Sequence, residues 1–176
     1  YHLYYGDEIG TPGSVMTYFP FPGAARGRRG AGEVGTTRFS IPVGTADAWA
    51  ERLAGFDVAA MERGSLFGQD TLGFAGPDGD RFLLVEDTGD DRTPWTGGRV
   101  PSDLAIRGFH SVDMCVTDAA PQAELLAFMG YEEVGRDGNL VRMALTRGKA
   151  ATIVDLDVQT GAAPASQGAG SVHHVA

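Results

Sequence analysis

Gly55-Phe56-Asp57-Val58 and Gly130-Tyr131-Glu132-Glu133-Val134 are two versions of one junction. In each, a glycine ends an amphipathic stretch and an aromatic residue begins an extended one, as where a helix stops and a strand starts. Upstream of Gly55, Thr45 is placed to cap a short helix with Trp49 and Leu53 four apart on one face, and Gly55 is expected in the left-handed position that closes it. Upstream of Gly130, Asp118 is the N-cap of a helix over 119–129 that buries Leu125 and Phe128 or Met129, with Gly130 as its closing glycine. The spacing predicts strands over 36–43 and 109–116 before the helices. After the first helix, strands fall around 65–74 and 81–86, joined by the turn Pro77-Asp78-Gly79-Asp80. After the second they fall near 132–135, 140–146 and 151–158.

The opening strands also match one another, as Phe39-Ser40-Ile41, His110-Ser111-Val112 and His173-His174-Val175. A third copy therefore begins at Val172. At the other end, Tyr1-His2-Leu3-Tyr4-Tyr5 and Val15-Met16-Thr17-Tyr18-Phe19 are aromatic and β-branched runs separated by Gly6, Gly10, Pro12 and Gly13, the pattern of a hairpin that Pro20 and Pro22 end. Repetition of one supersecondary unit makes the fold α+β, built of βαβββ modules.

Composition narrows the function. With 176 residues, 43% of them hydrophobic, the chain can bury a core. A formal charge of −9 argues against nucleic acid and against an anionic membrane surface, both of which select clustered cations. No apolar run approaches the roughly 18 residues of a membrane helix. One cysteine, Cys115, excludes a disulfide framework and fits a reducing, cytoplasmic compartment. Gly30-Ala31-Gly32-Glu33-Val34-Gly35 matches the dinucleotide fingerprint letter for letter, but an Arg-rich loop precedes it and a strand follows, where pyrophosphate binding needs a strand before and a helix after. These glycines read as a solvated loop. The expected ligand is thus a small molecule other than a dinucleotide.

Tyr1-His2-Leu3-Tyr4-Tyr5-Gly6-Asp7-Glu8, Thr17-Tyr18-Phe19-Pro20-Phe21-Pro22, Ile106-Arg107-Gly108-Phe109-His110-Ser111-Val112 and Val172-His173-His174-Val175-Ala176 together resemble the vicinal-oxygen-chelate (glyoxalase/bleomycin-resistance/dioxygenase) superfamily. Within it the chain is similar to the dioxygenases that open hydroquinone- or catechol-type rings. The resemblance implies four modules whose curved mixed sheets form cups: residues 1–22 would close module one, 36–87 form module two, 105–158 module three, and 170–176 open module four, with connections at 23–35, 88–104 and 159–169, the last of them small and flexible. It implies Fe(II), with Mn(II) as the alternative, held by two histidines and a glutamate. His174 is the ligand position present here, and His173 takes a catalytic place beside it, hydrogen-bonding substrate or a ligand. Successive strand residues face opposite ways, so one histidine of the pair meets the metal. Two imidazoles and a carboxylate on one face of the ion leave adjacent positions for a phenolate and O₂.

Ser40 and Ser111 match His174 in the middle modules, where hydroxyls are poor iron ligands, so these modules read as structural. Asp155 reads as a hydrogen-bonded or solvated strand carboxylate and His110 as a packed strand-end histidine, while His2 faces either a metal cup or solvent. If modules one and four pack together, Tyr4, Tyr18, Phe19 and Phe21 line an aromatic-substrate pocket. The expectation is a ring-cleaving dioxygenase using a small aromatic substrate and O₂; its rivals are a metal-free small-molecule-binding protein and a glyoxalase-like lyase or isomerase of the same superfamily. Unpaired strand edges at both ends invite association, including a homo-oligomer. The 176 residues alone are expected to be inactive.

Overall fold

A computed structural model describes residues 2–147 and 152–175. Its main body runs β3 (Glu33–Ile41), α1 (Ala46–Ala54), β4 (Glu62–Leu66), β5 (Gln69–Ala75) and β6 (Arg81–Glu86), and then repeats that order as β7 (Gly108–Val116), α2 (Ala120–Phe128), β8 (Tyr131–Asp137), β9 (Leu140–Leu145) and β10 (Ile153–Val158). One eight-stranded sheet holds them in the order β4-β5-β6-β3-β7-β10-β9-β8. The two opening strands β3 and β7 pair antiparallel at its centre, and each has its own module's last strand as a parallel neighbour. Parallel pairing follows because a helical crossover returns the chain in the same direction. Ile41, Trp49, Leu72 and Leu84 form one core and Val116, Leu126, Val141, Met143 and Leu156 another. Outside the sheet, β1 (Leu3–Tyr5) and β2 (Met16–Tyr18) make the expected antiparallel hairpin.

Several local expectations are corrected. The stretch 65–74 is folded in two: Phe67 and Gly68 both take positive φ, 50° and 80°, a two-residue hairpin turn between β4 and β5. No Asn or Asp marks it. Gly55 is right-handed (φ −65°), and Asp57 supplies the positive φ instead, at 58°. Thr45 makes no side-chain cap. Asp118 does accept the Ala120 N–H, at 3.0 Å. In α2 the buried residue is Leu126, whereas Leu125 is 59% and Phe128 90% exposed; α2 begins at Ala120 and lies against the sheet one residue out of the expected phase. Residues 148–151 and the terminal Tyr1 and Ala176 lie outside the described residues, with the corresponding parts of the expected strands.

The greatest departure concerns the two glycine-rich connections, which pair with each other. Arg28 and Ser166 exchange both backbone hydrogen bonds at 2.8 Å. The Gly27 N–H donates to Ala169 O at 3.0 Å as the Ala165 N–H donates to Ala31 O at 2.9 Å; Ala31 to Ala163 and Ala169 to Ala25 are likewise matched at 2.8 Å. A local two-fold axis thus runs through the Arg28–Ser166 pair, and residues 138 apart are equivalent. The sequence carries the same relation: Gly23-Ala24-Ala25 recurs as Gly161-Ala162-Ala163, and Gly30-Ala31-Gly32 as Gly168-Ala169-Gly170. Gly23 and Gly161 have φ of 80° and 85°, Gly32 and Gly170 of 91° and 80°. A Cβ on Gly30 would collide with Ala163 O, and one on Gly168 with Ala25 O. These glycines let two backbones touch, which accounts for the fingerprint-like spacing. The 159–169 connection is therefore a hydrogen-bonded tie and not a flexible spacer.

Candidate functional site

The tie ends in a turn, Ser171 N–H to Gly168 O at 3.1 Å, and the histidine pair follows two residues later. His173 and His174 are exposed and lie beside the aromatic end of the β1-β2 hairpin. The Phe19 ring centroid is 5.8 Å from that of His173 and 6.4 Å from that of His174, and Phe21 stacks on Phe19 at 6.3 Å. His2 packs edge-on to Phe19 at 4.5 Å, and its Nδ1 is 3.2 Å from the Tyr4 hydroxyl. The two Nδ1 atoms of His173 and His174 are 2.8 Å apart. One of them must carry the proton and the other accept it, which leaves Nε2 of each ring outside that bond. Residues 171–175 are not paired as a strand, contrary to expectation, because no ladder partner for them lies among the described residues. Both imidazoles consequently sit on one side, against one phenylalanine.

A second polar cluster fills the cup of the eight-stranded sheet. Asp155, wholly buried, receives Arg142 in a two-point fork, Nε to Oδ1 at 2.8 Å and Nη2 to Oδ2 at 2.9 Å, and its Oδ2 also pairs with Arg38. Arg38 reaches Ser111 Oγ at 3.3 Å and lies 4.0 Å from Asp113. Two guanidinium groups thus face one buried carboxylate, and the desolvation cost of each group is offset only by its partners. Phe67 closes the cup, with the Arg142 guanidinium 3.7 Å from its ring centroid. His110, also buried, is 2.9 Å from Ser111 Oγ and 3.9 Å from Asp87. Burial, reinforced by the charge of Arg142, pushes its pKa down to about 4, so it is neutral at pH 7. Cys115 is half-buried, and desolvation, with Asp157, Glu33 and Asp113 nearby, pushes its thiol up.

No family model matches the chain. It is 38% identical over 185 residues to the chlorohydroquinone/hydroquinone 1,2-dioxygenase of Sphingobium indicum, covering 100% of this chain and 57% of that protein. It is 37% identical over 179 residues to MhqO of Bacillus subtilis (strain 168), which carries a provisional ring-cleaving dioxygenase name, covering 100% of this chain and 56% of that one. A Bacillus subtilis crystal structure provisionally named a dioxygenase superposes with a TM-score of 0.88 at 35% identity, over 98% of this chain and 55% of that one. Along its whole length the chain is thus similar to proteins named as ring-cleaving dioxygenases. It spans a little over half the length of these relatives. Glyoxalase I from Zea mays, at 16% identity, shares the fold, with a TM-score of 0.59 over 88% of this chain and 52% of that one.

The ladders align the superfamily's modules with one another. β6 begins with Arg81 opposite Thr36, and β10 begins with Ile153 opposite Ser111. Thr36 is thus the equivalent of Ser111, and by the 138-residue relation it is also the equivalent of His174. The match of Ser40 to His174 is therefore four residues out of register. Phe39-Ser40-Ile41 resembles the histidine motif only in its apolar alternation, whereas the Gly-Ala-Gly preceding both segments is the signal that places them. Thr36, like serine, is a poor partner for a transition metal, so the middle modules remain structural after the correction. The same relation makes Thr17 the equivalent of Asp155 and Tyr4 the equivalent of Arg142, each pair directly opposed across its ladder.

Imidazole nitrogen suits Fe(II) or Mn(II), but the His173-His174 corner lacks a carboxylate to complete the set. Among the described residues, no three His, Cys, Asp or Glu side chains are grouped to bind a metal ion. Asp155, spent on two arginines, is not available. The described residues alone therefore do not make the superfamily's metal centre.

Proposed function

We propose that this chain belongs to an Fe(II)-dependent, extradiol-type ring-cleaving dioxygenase acting on hydroquinone- or catechol-type compounds with O₂, and that it works in the cytoplasm. One observation carries the reading: the aromatic end of the β1-β2 hairpin meets the His173-His174 pair, so a stacking wall and nitrogen donors share one corner. The hydroquinone dioxygenase and MhqO support the choice of reaction. In this reading His174 Nε2 supplies one metal ligand, and the remaining ligands come from the part of the relatives that this chain does not span. Mn(II) is the alternative metal. Such a metal would supply adjacent positions for phenolate and O₂, while Phe19 and Phe21 orient the ring by stacking. His173, hydrogen-bonded to its neighbour, holds a proton beside the substrate oxygens. The 170–176 segment is the opening of module four, following modules two and three.

The full-length protein, loaded anaerobically with Fe(II) and offered hydroquinones and catechols, is expected to take up O₂ in a ring-dependent way with about one metal per chain. His174→Ala is expected to remove metal and uptake together. Tight binding of a hydroquinone without metal or uptake would instead make the protein a metal-free binder. Turnover without O₂ uptake would make it a lyase or isomerase.

A further inference from the structure

The histidine corner is assembled from two segments that do not belong to the eight-stranded sheet, and one turn of that sheet touches both. On the hairpin side, the Tyr18 hydroxyl donates to Asp80 Oδ2 at 3.1 Å, with Tyr5 edge-on to the Tyr18 ring at 5.7 Å. On the histidine side, Gly170 presses against the same turn, so closely that a Cβ there would collide with Asp78 O. Arg29 fastens the turn to the tie by donating to Gly79 O at 2.9 Å and Gly35 O at 2.7 Å. Phe19 is the residue after Tyr18, and His173 is the third after Gly170. The turn at residues 76–80 of module two therefore links the segment that carries Phe19 to the segment that carries the imidazoles.

Resting on the dioxygenase reading, we propose that Tyr18 and Asp80 form a positioning pair, which acts through Phe19 to hold the aromatic ring of the substrate against the His173-His174 pair. The phenol is suited to this: burial, with the Asp80 carboxylate beside it, raises its pKa, so it remains a donor at every physiological pH. Aspartate gives a charged acceptor, which strengthens the bond. A small displacement of such a wall is felt in substrate placement and hardly in the chemistry of the metal.

The test uses the full-length protein with Fe(II). Tyr18→Phe keeps the ring and deletes the hydroxyl. We expect KM for the hydroquinone or catechol to rise about tenfold while kcat falls less than about threefold and iron content holds. Asp80→Asn keeps an acceptor oxygen and is expected to fall between wild type and Tyr18→Phe. Phe19→Leu raises KM by itself, and adding Tyr18→Phe to it is expected to change nothing further, the non-additivity of residues acting through one another. In parallel, the Cε1–H resonances of His173 and His174 are followed by NMR, since Tyr18→Phe moves the Phe19 ring relative to both. Additive effects on KM, or an unchanged KM with unmoved imidazole resonances, would overturn the proposal. Should the wild type consume no O₂ with any ring while Tyr18→Phe still moves those resonances, the dioxygenase reading falls and the positioning stands. Uptake without movement would keep the dioxygenase and discard the positioning pair.

Discussion

The corner at His174 and the cup at Asp155 are built from related positions and have opposite character. In the cup, Arg142 and Asp155 face each other across a ladder, Arg38 joins them, and the Phe67 ring lies against Arg142. In the hairpin the equivalents are Tyr4 and Thr17, which carry no charge, and the histidines stand open to solvent. The same framework thus serves in one place as a sealed ionic core and in the other as an exposed wall and donor set. What separates them is a few side chains, above all the two arginines: a guanidinium satisfies a buried carboxylate where a metal would otherwise be needed.

The contrast can be broken most sharply at His174, where alanine is expected to abolish metal binding and O₂ uptake in the full-length protein, as read by metal analysis and an oxygen electrode. Next in size, Arg142→Met leaves Asp155 buried with one partner and should cost about 3–5 kcal/mol in denaturant unfolding. Replacing Arg38, Arg142 and Asp155 together by Met, Met and Leu should recover most of that loss. A triple variant as unstable as the single one would show that the ion pairs do more than neutralise each other.

His110 gives an intermediate effect with a defined sign. Its folded pKa, about 4, lies below the ordinary 6.5, so between those values the unfolded chain binds the extra proton and stability falls as pH drops from 6.5 to 4. The full span is roughly 3 kcal/mol, and above about pH 6.5 the contribution is constant. His110→Gln should flatten the stability-versus-pH curve in that window; an unaltered slope would place the titration elsewhere. Smaller again, Gly168→Ala forces a Cβ against Ala25 O and is expected to cost about 1–3 kcal/mol, with the histidine resonances moving as the tie spreads. Phe128→Gln, at a side chain 90% exposed, should change stability by less than about 0.5 kcal/mol. A larger loss there would mean that something covers α2.

Much of this is legible in the residues. Glycine-aromatic junctions and repeated opening strands mark the modules, because hydrophobic period and turn chemistry are local. Gly130, with φ 96°, closes its helix as expected, while Gly55 does not, because Asp57 can take the left-handed position two residues later. Phe67 in a hairpin turn is invisible in the sequence, since its conformation is tied to a guanidinium 75 residues away. The ring of Phe19 beside the histidines follows from the sequence only on condition that the hairpin meets the last segment. The Gly-Ala-Gly tie meets that condition, and its glycines read as solvated loop because nothing local shows that two backbones will touch.

The tie also bears on the order of assembly. It joins residues 138 apart in the chain, so its closure entropy is among the largest in the molecule and it rewards folding only after the sheet between them exists. Contacts formed that late are absent from the transition state for folding, and weakening them speeds unfolding while leaving the folding rate nearly unchanged. Stopped-flow kinetics on Gly168→Ala should show that split, and a slowed folding limb would place the tie in the nucleus. On the expected outcome the histidines take their place last and leave it first, which makes the corner less durable than the sheet it leans on.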